Sequence, residues 1–226
     1  MFTAVHIAIG LVQFGLAVIG TRHALRHRNR YAWIPLGVIY GLVYDNFVIA
    51  AGSWLGEGAL LQALNAPRFA IHALLTPLLG IFAVGAARRA GLAWAQSRGV
   101  HAAFCLVATA LVAWSAYWEI LRLDLVPARF YDTLRYVNEG APPGPPLAPV
   151  LTIVILIGVG ALLWRRARWP WLCLGGAVMF LAAGAGARLV AVANLGEIAM
   201  TGALLATEIT LLTALLKPRP AVAVAA

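Results

Sequence analysis

The sequence predicts an all-α integral membrane protein: a bundle of seven transmembrane helices, with the N-terminus outside and the C-terminus in the cytoplasm. Three observations support this fold class. Of the 226 residues, 62% are apolar and only 11% are charged, whereas charged residues make up about 25% of ordinary soluble chains. The mean hydropathy is +0.87. Seven apolar runs approach the ~20 residues that a helix needs to cross a bilayer.

Prolines mark several boundaries of the predicted spans. Pro35 and Pro170 stand near span starts, where the missing N–H costs little. Pro77 lies inside the third span and predicts a kink there. We expect one seven-helix domain over 1–217, followed by a disordered tail over 218–226. The predicted spans are 2–20, 32–53, 68–87, 100–122, 148–164, 170–190 and 196–216.

The basic residues indicate which ends of the spans face the cytoplasm. The connections 21–31, 88–99 and 165–169, together with the end of the chain from 217 onward, hold 12 of the 17 basic residues and none of the 8 acidic ones. Basic connections stay on the cytoplasmic side, so the N-terminus is predicted outside. A membrane also explains the net charge of +9. We therefore expect membrane lipids, and not nucleic acid, as partners, and a bacterial-type cytoplasmic membrane as the location.

The longest outer connection, 123–147, has two halves of different character. The first half mixes aromatic, apolar and charged residues, including Phe130 and Tyr131, and is interpreted as an amphipathic segment on the outer membrane interface. The second half runs from Ala141 to Pro146 and is rich in proline. Such a segment cannot be helical and is expected to act as a semi-rigid spacer.

Ionisable side chains cluster in the outer halves of the predicted spans. Asp45, His72 and Glu119 lie roughly four to eight residues below the outer ends of three spans, which is within ~12 Å of the outer boundary. Their chemistry suits a small metal site or a general acid–base pair, so we assign them the catalytic role and the metal-ligand role. The accompanying candidates for substrate binding are Tyr44, Asn46, Arg68, Arg188, Glu197, Thr201 and Glu208.

These groups favour a protein that binds or processes a lipid or another amphiphile. Arg68 and Arg188 would hold an anionic headgroup. A proton-coupled transporter using Glu208 is one alternative, and a membrane scaffold or assembly factor without chemistry is another. His6 and His72 could also ligate a haem. In a purely structural interpretation, the carboxylates only neutralise the arginines and hold the helices together.

The predicted topology resembles that of two groups of seven-span proteins. Microbial rhodopsins share it, but their retinal needs a Schiff-base lysine within the seventh span. Lys217 is the only lysine here and stands at the cytoplasmic end, so retinal is not expected. The superfamily of alkaline ceramidases and progestin and adiponectin receptors builds a zinc site from three histidines with Ser and Asp. Only His6 and His72 lie in the outer halves of the predicted spans, so that site is not carried over.

Glu208 is the deepest carboxyl group of the predicted spans, with apolar helix on both sides. The arginines of the outer half are too far away to reach it. An unpaired carboxylate at that depth would be costly to ionise. The sequence therefore predicts a neutral Glu208, hydrogen-bonded to Gln13, Tyr44 or Thr76 and tolerant of replacement by Gln.

Overall fold

The computed structural model of the chain describes residues 1–186 and 190–216. Arg188 and the predicted tail over 218–226 lie outside these described residues. Helices dominate the described part, and two short strands interrupt them. The helices are α1 (Phe2–Arg26), α2 (Trp33–Leu55), α3 (Ala59–Leu75), α4 (Leu79–Arg89), α5 (Arg98–Ala116), α6 (Leu147–Ala167), α7 (Trp171–Gly186) and α8 (Val190–Leu216), and the strands are β1 (Leu125–Phe130) and β2 (Thr133–Asn138).

The predicted count of seven helical runs is confirmed, because α3 and α4 form one bent rod. A 3₁₀ turn at Thr76–Leu78 joins them and contains Pro77, at the position of the predicted kink. Within the described residues, five helical stretches are long and apolar enough to cross a membrane. This property indicates a membrane protein. The five stretches are Phe2–Arg26, Arg30–Leu55, Ala59–Arg89, Arg98–Leu121 and Leu147–Ala167.

The rods pack in a closed ring with one helix on its outside. Neighbours around the ring are α1, α2, the α3–α4 rod, α6, α7 and α8, and α8 returns to contact α1. Leu79, Leu156 and Leu204, from three of these rods, belong to one buried apolar cluster. Helix α5 packs against the α3–α4 rod from outside the ring. Most of its surface is therefore available to lipid, and few of its residues are buried.

Helix α3 begins well before the predicted start at residue 68. The connection after α2 consists only of Gly56–Gly58, and helix resumes at Ala59 and continues through Pro67. Gly56 has a φ of +76°, a conformation that a side chain disfavours, and it ends α2 sharply. As a result, Arg68 lies in the middle of a helix instead of at a span end. Helix α8 likewise begins at Val190 instead of 196, so Glu197 lies inside it.

The first half of the 123–147 connection is a β-hairpin and not an interfacial amphipathic segment. Strands β1 and β2 pair antiparallel, from Leu125 opposite Asn138 to Phe130 opposite Thr133. Polar and apolar residues are mixed in this segment because successive side chains of a β-strand point to opposite faces. The second half, with its prolines, is non-helical as predicted. The hairpin lies across one end of the bundle, where it contacts α2 and α3. We call this the hairpin end.

Close backbone contacts fix the hairpin to the helices. A Cβ atom on Gly52 would lie 1.7 Å from the carbonyl oxygen of Leu134, so only glycine allows α2 to approach β2 this closely. Asp132 in the hairpin turn accepts hydrogen bonds from the backbone N–H groups of Phe2 (2.8 Å) and Thr3 (3.2 Å). The N-terminal amino group also bonds to this carboxylate, and these contacts hold the pKa of Asp132 below its usual range.

Candidate functional site

A buried ion pair joins α2 to α3 near the hairpin end. Nε of Arg68 donates a hydrogen bond to Oδ1 of Asp45 at 2.6 Å, and both side chains are less than 10% exposed. Nη1 of Arg68 donates to Oδ1 of Asn65, and the same oxygen accepts a hydrogen bond from the backbone N–H of Tyr136 at 3.1 Å. Two of the three guanidinium nitrogens of Arg68 thus donate hydrogen bonds within the protein, which argues against its predicted role in holding a headgroup.

His72 connects this ion pair to a cavity. Its Nε2 lies 3.8 Å from Oδ1 of Asp45, and its side chain is 36% exposed, whereas that of Asp45 is only 6% exposed. His72 follows Arg68 by one turn of α3, so its partly exposed imidazole ring stands beside the buried carboxylate of Asp45 on α2. At this separation the carboxylate places a negative charge near the imidazole without a direct hydrogen bond.

The cavity has a volume of about 320 Å³ and is enclosed by α3, the end of α5, the spacer 141–146 and the start of α6. We call it the α3–α5–α6 cavity. His72, Ser115 and Glu119 provide polar groups in its wall, and Phe69, Trp114 and Trp118 provide aromatic ones. The structure thus brings two of the three predicted catalytic residues, His72 and Glu119, to one cavity. Asp45 lies behind His72 and does not line it.

Glu119 is held in the wall of the α3–α5–α6 cavity by an unusual local structure. Helix α5 continues as a π-helical turn over Tyr117–Leu121, a geometry that is frequent at functional sites. Nδ2 of Asn138, at the end of β2, donates a hydrogen bond to Oε2 of Glu119 at 3.1 Å. The hairpin therefore fixes one oxygen of this carboxylate.

Asp45, His72 and Glu119 do not form the predicted metal site. Within residues 1–186 and 190–216, no group of three or more His, Cys, Asp or Glu side chains is arranged to hold a metal ion. The physical reason is that Asp45 is occupied by Arg68, while Glu119 is bonded to Asn138.

Two other predicted site residues, Asn46 and Thr201, lie in a separate polar network between α1, α2 and α8. Oδ1 of Asn46 contacts Nδ1 of His6 at 3.0 Å and accepts a hydrogen bond from Asn194 at 3.3 Å. Thr201 donates to the side-chain oxygen of Gln13 at 3.0 Å. These contacts are internal to the helix packing, so Asn46 and Thr201 are placed as interhelical hydrogen-bonding groups.

The side chains of Tyr44 and Glu197 take part in neither the Asp45–Arg68 ion pair nor the hydrogen bonds of Asn46 and Thr201. The Tyr44 hydroxyl donates to the carbonyl oxygen of Leu64 at 2.8 Å, which ties α2 to α3. The Oε2 atom of Glu197 is buried, and no described residue forms a hydrogen bond with it. Neither side chain is among the described residues that line the α3–α5–α6 cavity.

The prediction of a neutral Glu208 is wrong, because an arginine from the opposite end of the bundle reaches it. Nη1 and Nη2 of Arg89 donate to its two carboxylate oxygens at 2.5 and 2.6 Å, and Asn29 donates to Oε1 at 2.7 Å. Arg89 is the last residue of α4, and its guanidinium also stacks on the ring of Tyr31 at 4.7 Å. Glu208 is fully buried, and its charge is compensated by a bidentate ion pair.

Comparison of the chain with protein-family models, curated proteins and solved structures finds no match. The cavity itself indicates what chemistry the chain can support. An imidazole near a carboxylate, a second carboxylate and a hydroxyl can bind a polar headgroup and exchange protons with it. The aromatic and proline walls around them can bury an apolar chain.

Proposed function

We propose that this protein binds a lipid or another amphiphile in the α3–α5–α6 cavity. The observation that carries the proposal is the composition of the cavity wall. Polar groups of His72, Ser115 and Glu119 stand beside aromatic and proline residues in a space of about 320 Å³. A molecule with one polar and one apolar part matches this division, because each part meets a wall of its own kind. Acid–base chemistry by His72 and Glu119 on the bound molecule belongs to the same proposal.

The position of the cavity supports a ligand that arrives from the bilayer. Helix α5 forms one wall and packs outside the ring of rods, so its other faces are available to lipid. Leu106 and Leu121 on this helix are 71% and 75% exposed. A cavity between a peripheral helix and its neighbour can be entered by an amphiphile without passing through the closed ring.

Proton-coupled transport is less well supported than amphiphile binding. That alternative relied on a deep carboxyl group free to exchange protons. Glu208 instead accepts three hydrogen bonds from Arg89 and Asn29, so it is not a free carboxyl group. If the binding experiment described next fails, a membrane scaffold that binds no ligand is the remaining alternative.

Binding can be tested with a photoactivatable phospholipid carrying a diazirine in its acyl chain. We expect labelling to concentrate on peptides from the end of α5 and the spacer 141–146. Ser115→Trp should reduce this labelling several-fold, because a large ring would fill the cavity that Ser115 lines. Ala110→Trp on the exposed surface of the same helix is the matched control and should label normally. Even labelling of all lipid-facing helices, unchanged in Ser115→Trp, would contradict the proposal.

We also propose that the hairpin end faces outward and that the protein resides in a bacterial-type cytoplasmic membrane. Asn29 and Arg89 both donate hydrogen bonds to Glu208, and the Arg89 guanidinium lies over the Tyr31 ring. These contacts support the orientation, because they bring the basic connections 21–31 and 88–99 to the same end of the bundle. Reporter fusions at Arg98 and Gly140 should report opposite sides, with Arg98 cytoplasmic. Two reporters on the same side would be incompatible with this topology.

A further inference from the structure

The charge of the α3–α5–α6 cavity differs from what an anionic headgroup would require. Glu119 contributes a carboxylate to the wall, and among the described residues no Lys or Arg lines it. The nearest arginine on α3, Arg68, directs its guanidinium to Asp45 and Asn65. Arg122, which follows the π-helical turn, lies over the Tyr117 ring at 5.8 Å. A phosphate or carboxylate entering the cavity would therefore face Glu119 without a lysine or arginine to offset its charge.

The aromatic residues of the wall favour a cation in the same place. Trp114 and Trp118 lie one turn apart on α5 and its π-helical turn, with ring centroids 6.1 Å apart at an interplanar angle of 63°. Phe69 adds a third ring from α3. Tryptophan faces attract ammonium groups more strongly than the other aromatic side chains do, and combinations of rings recognise quaternary ammonium ions.

The carboxylate and the rings are also held in place before a ligand arrives. Asn138 fixes one oxygen of Glu119, and Tyr117 packs edge-on against Trp118 with centroids 4.9 Å apart. The proline-rich spacer 141–146 closes the opposite wall. Fixed groups lose little conformational entropy when a ligand binds, which favours recognition.

Building on the proposed function, we infer that the α3–α5–α6 cavity recognises amphiphiles with a cationic headgroup, that is, an amine or a quaternary ammonium group. Glu119 supplies the counter-charge, and Trp114 and Trp118 supply the aromatic faces, because the Phe69 ring already has the Arg68 guanidinium over it at 5.7 Å. His72 is the other ionisable group lining the cavity among the described residues, and Asp45 lies behind its ring.

The test is competition against the photoactivatable phospholipid by amphiphiles that share a decyl chain. We expect decyltrimethylammonium to compete at about tenfold lower concentration than decyl sulfate, with uncharged decyl maltoside in between. Glu119→Gln should bring the two charged competitors within about twofold of each other. Glu139→Gln removes an exposed carboxylate near the end of the hairpin and should leave the preference unchanged. Trp114→Leu tests the aromatic contribution separately and should weaken competition by the cation alone.

Different results overturn the inference about the headgroup and the proposal of amphiphile binding. If both charged amphiphiles compete equally, or if Glu119→Gln leaves the preference intact, the inference about the headgroup is overturned while amphiphile binding stands. If no amphiphile displaces the label and the label is not concentrated at the cavity, amphiphile binding itself is overturned.

Discussion

Replacing Glu208 with Gln is expected to destabilise the protein by about 3–5 kcal/mol, the typical cost of removing one partner from a buried ion pair. Glu208 is fully buried, and the Arg89 side chain is 12% exposed. A glutamine amide offers one acceptor oxygen and turns an NH₂ group toward the guanidinium. The charge of Arg89 would remain in a region of low dielectric without a counter-ion. The free energy of unfolding in mixed detergent micelles measures this loss.

Two further variants separate the ion pair from the general effect of changing charge. Arg88→Gln removes the neighbouring, exposed arginine and should alter stability by no more than about 0.5 kcal/mol. The double variant Arg89→Met with Glu208→Met should recover most of the loss, because packed apolar side chains often replace a buried ion pair at little cost. A Glu208→Gln protein as stable as the wild type would refute the assigned role of the pair.

The rods of the fold are predictable from the sequence, because hydropathy acts over whole helices. Runs of apolar residues and the position of Pro77 identify the seven rods and the bend in the third. The residues at which individual helices begin are less predictable. Gly56–Gly58 is a short turn, but Pro67 lies beyond it and was interpreted as part of the connection, although α3 continues through it. A proline inside a membrane-spanning helix is tolerated when neighbouring groups compensate for the lost hydrogen bond.

The hairpin shows what hydropathy does not capture. Leu134 and Tyr136 alternate with Thr133 and Arg135, a two-residue period that would have indicated a strand. Burial of Leu134 and Tyr136 also depends on Gly52, whose missing Cβ admits the strand to α2. Burial lowers the pKa of Arg135 in the hairpin to about 10. The pairing of a glycine in one element with a backbone carbonyl in another is a tertiary property and has no local sequence signal.

The polar residues were predictable one by one, but their partners were not. Asp45, His72 and Glu119 were predicted at one depth in the outer half of the bundle, whereas their separation into an ion pair and a cavity depends on Asn65 and Asn138. Arg89 was counted only as a topological charge, like Arg88 beside it. Nothing in the sequence distinguishes the two, since only the rotation of α4 turns one guanidinium toward Glu208 and leaves the other exposed.

Asp45→Asn is the second substitution for which we expect a large effect, again about 3–5 kcal/mol of lost stability. Its carboxylate is the counter-charge of Arg68 at 2.6 Å. Without that charge, the buried guanidinium has no counter-ion. Asn65, which accepts a hydrogen bond from Arg68, also accepts one from the backbone N–H of Tyr136 in the hairpin. Loss of the ion pair should therefore loosen the hairpin as well as the contact between α2 and α3.

This dual effect distinguishes the Asp45–Arg68 pair from the Arg89–Glu208 pair at the other end of the bundle. Limited proteolysis should cut the hairpin faster in Asp45→Asn than in Glu208→Gln. Each variant is digested at the same interval below its own unfolding midpoint, so that the comparison does not depend on overall stability. Glu57→Gln removes an exposed carboxylate in the turn beside the hairpin and should change neither stability nor cleavage. Arg68→Met should reproduce the loss, because Asp45 would then be the unpaired buried charge. Unaltered hairpin cleavage in Asp45→Asn would mean that the strands are held by Gly52 and Asp132 alone, and that the ion pair does not couple them to α3.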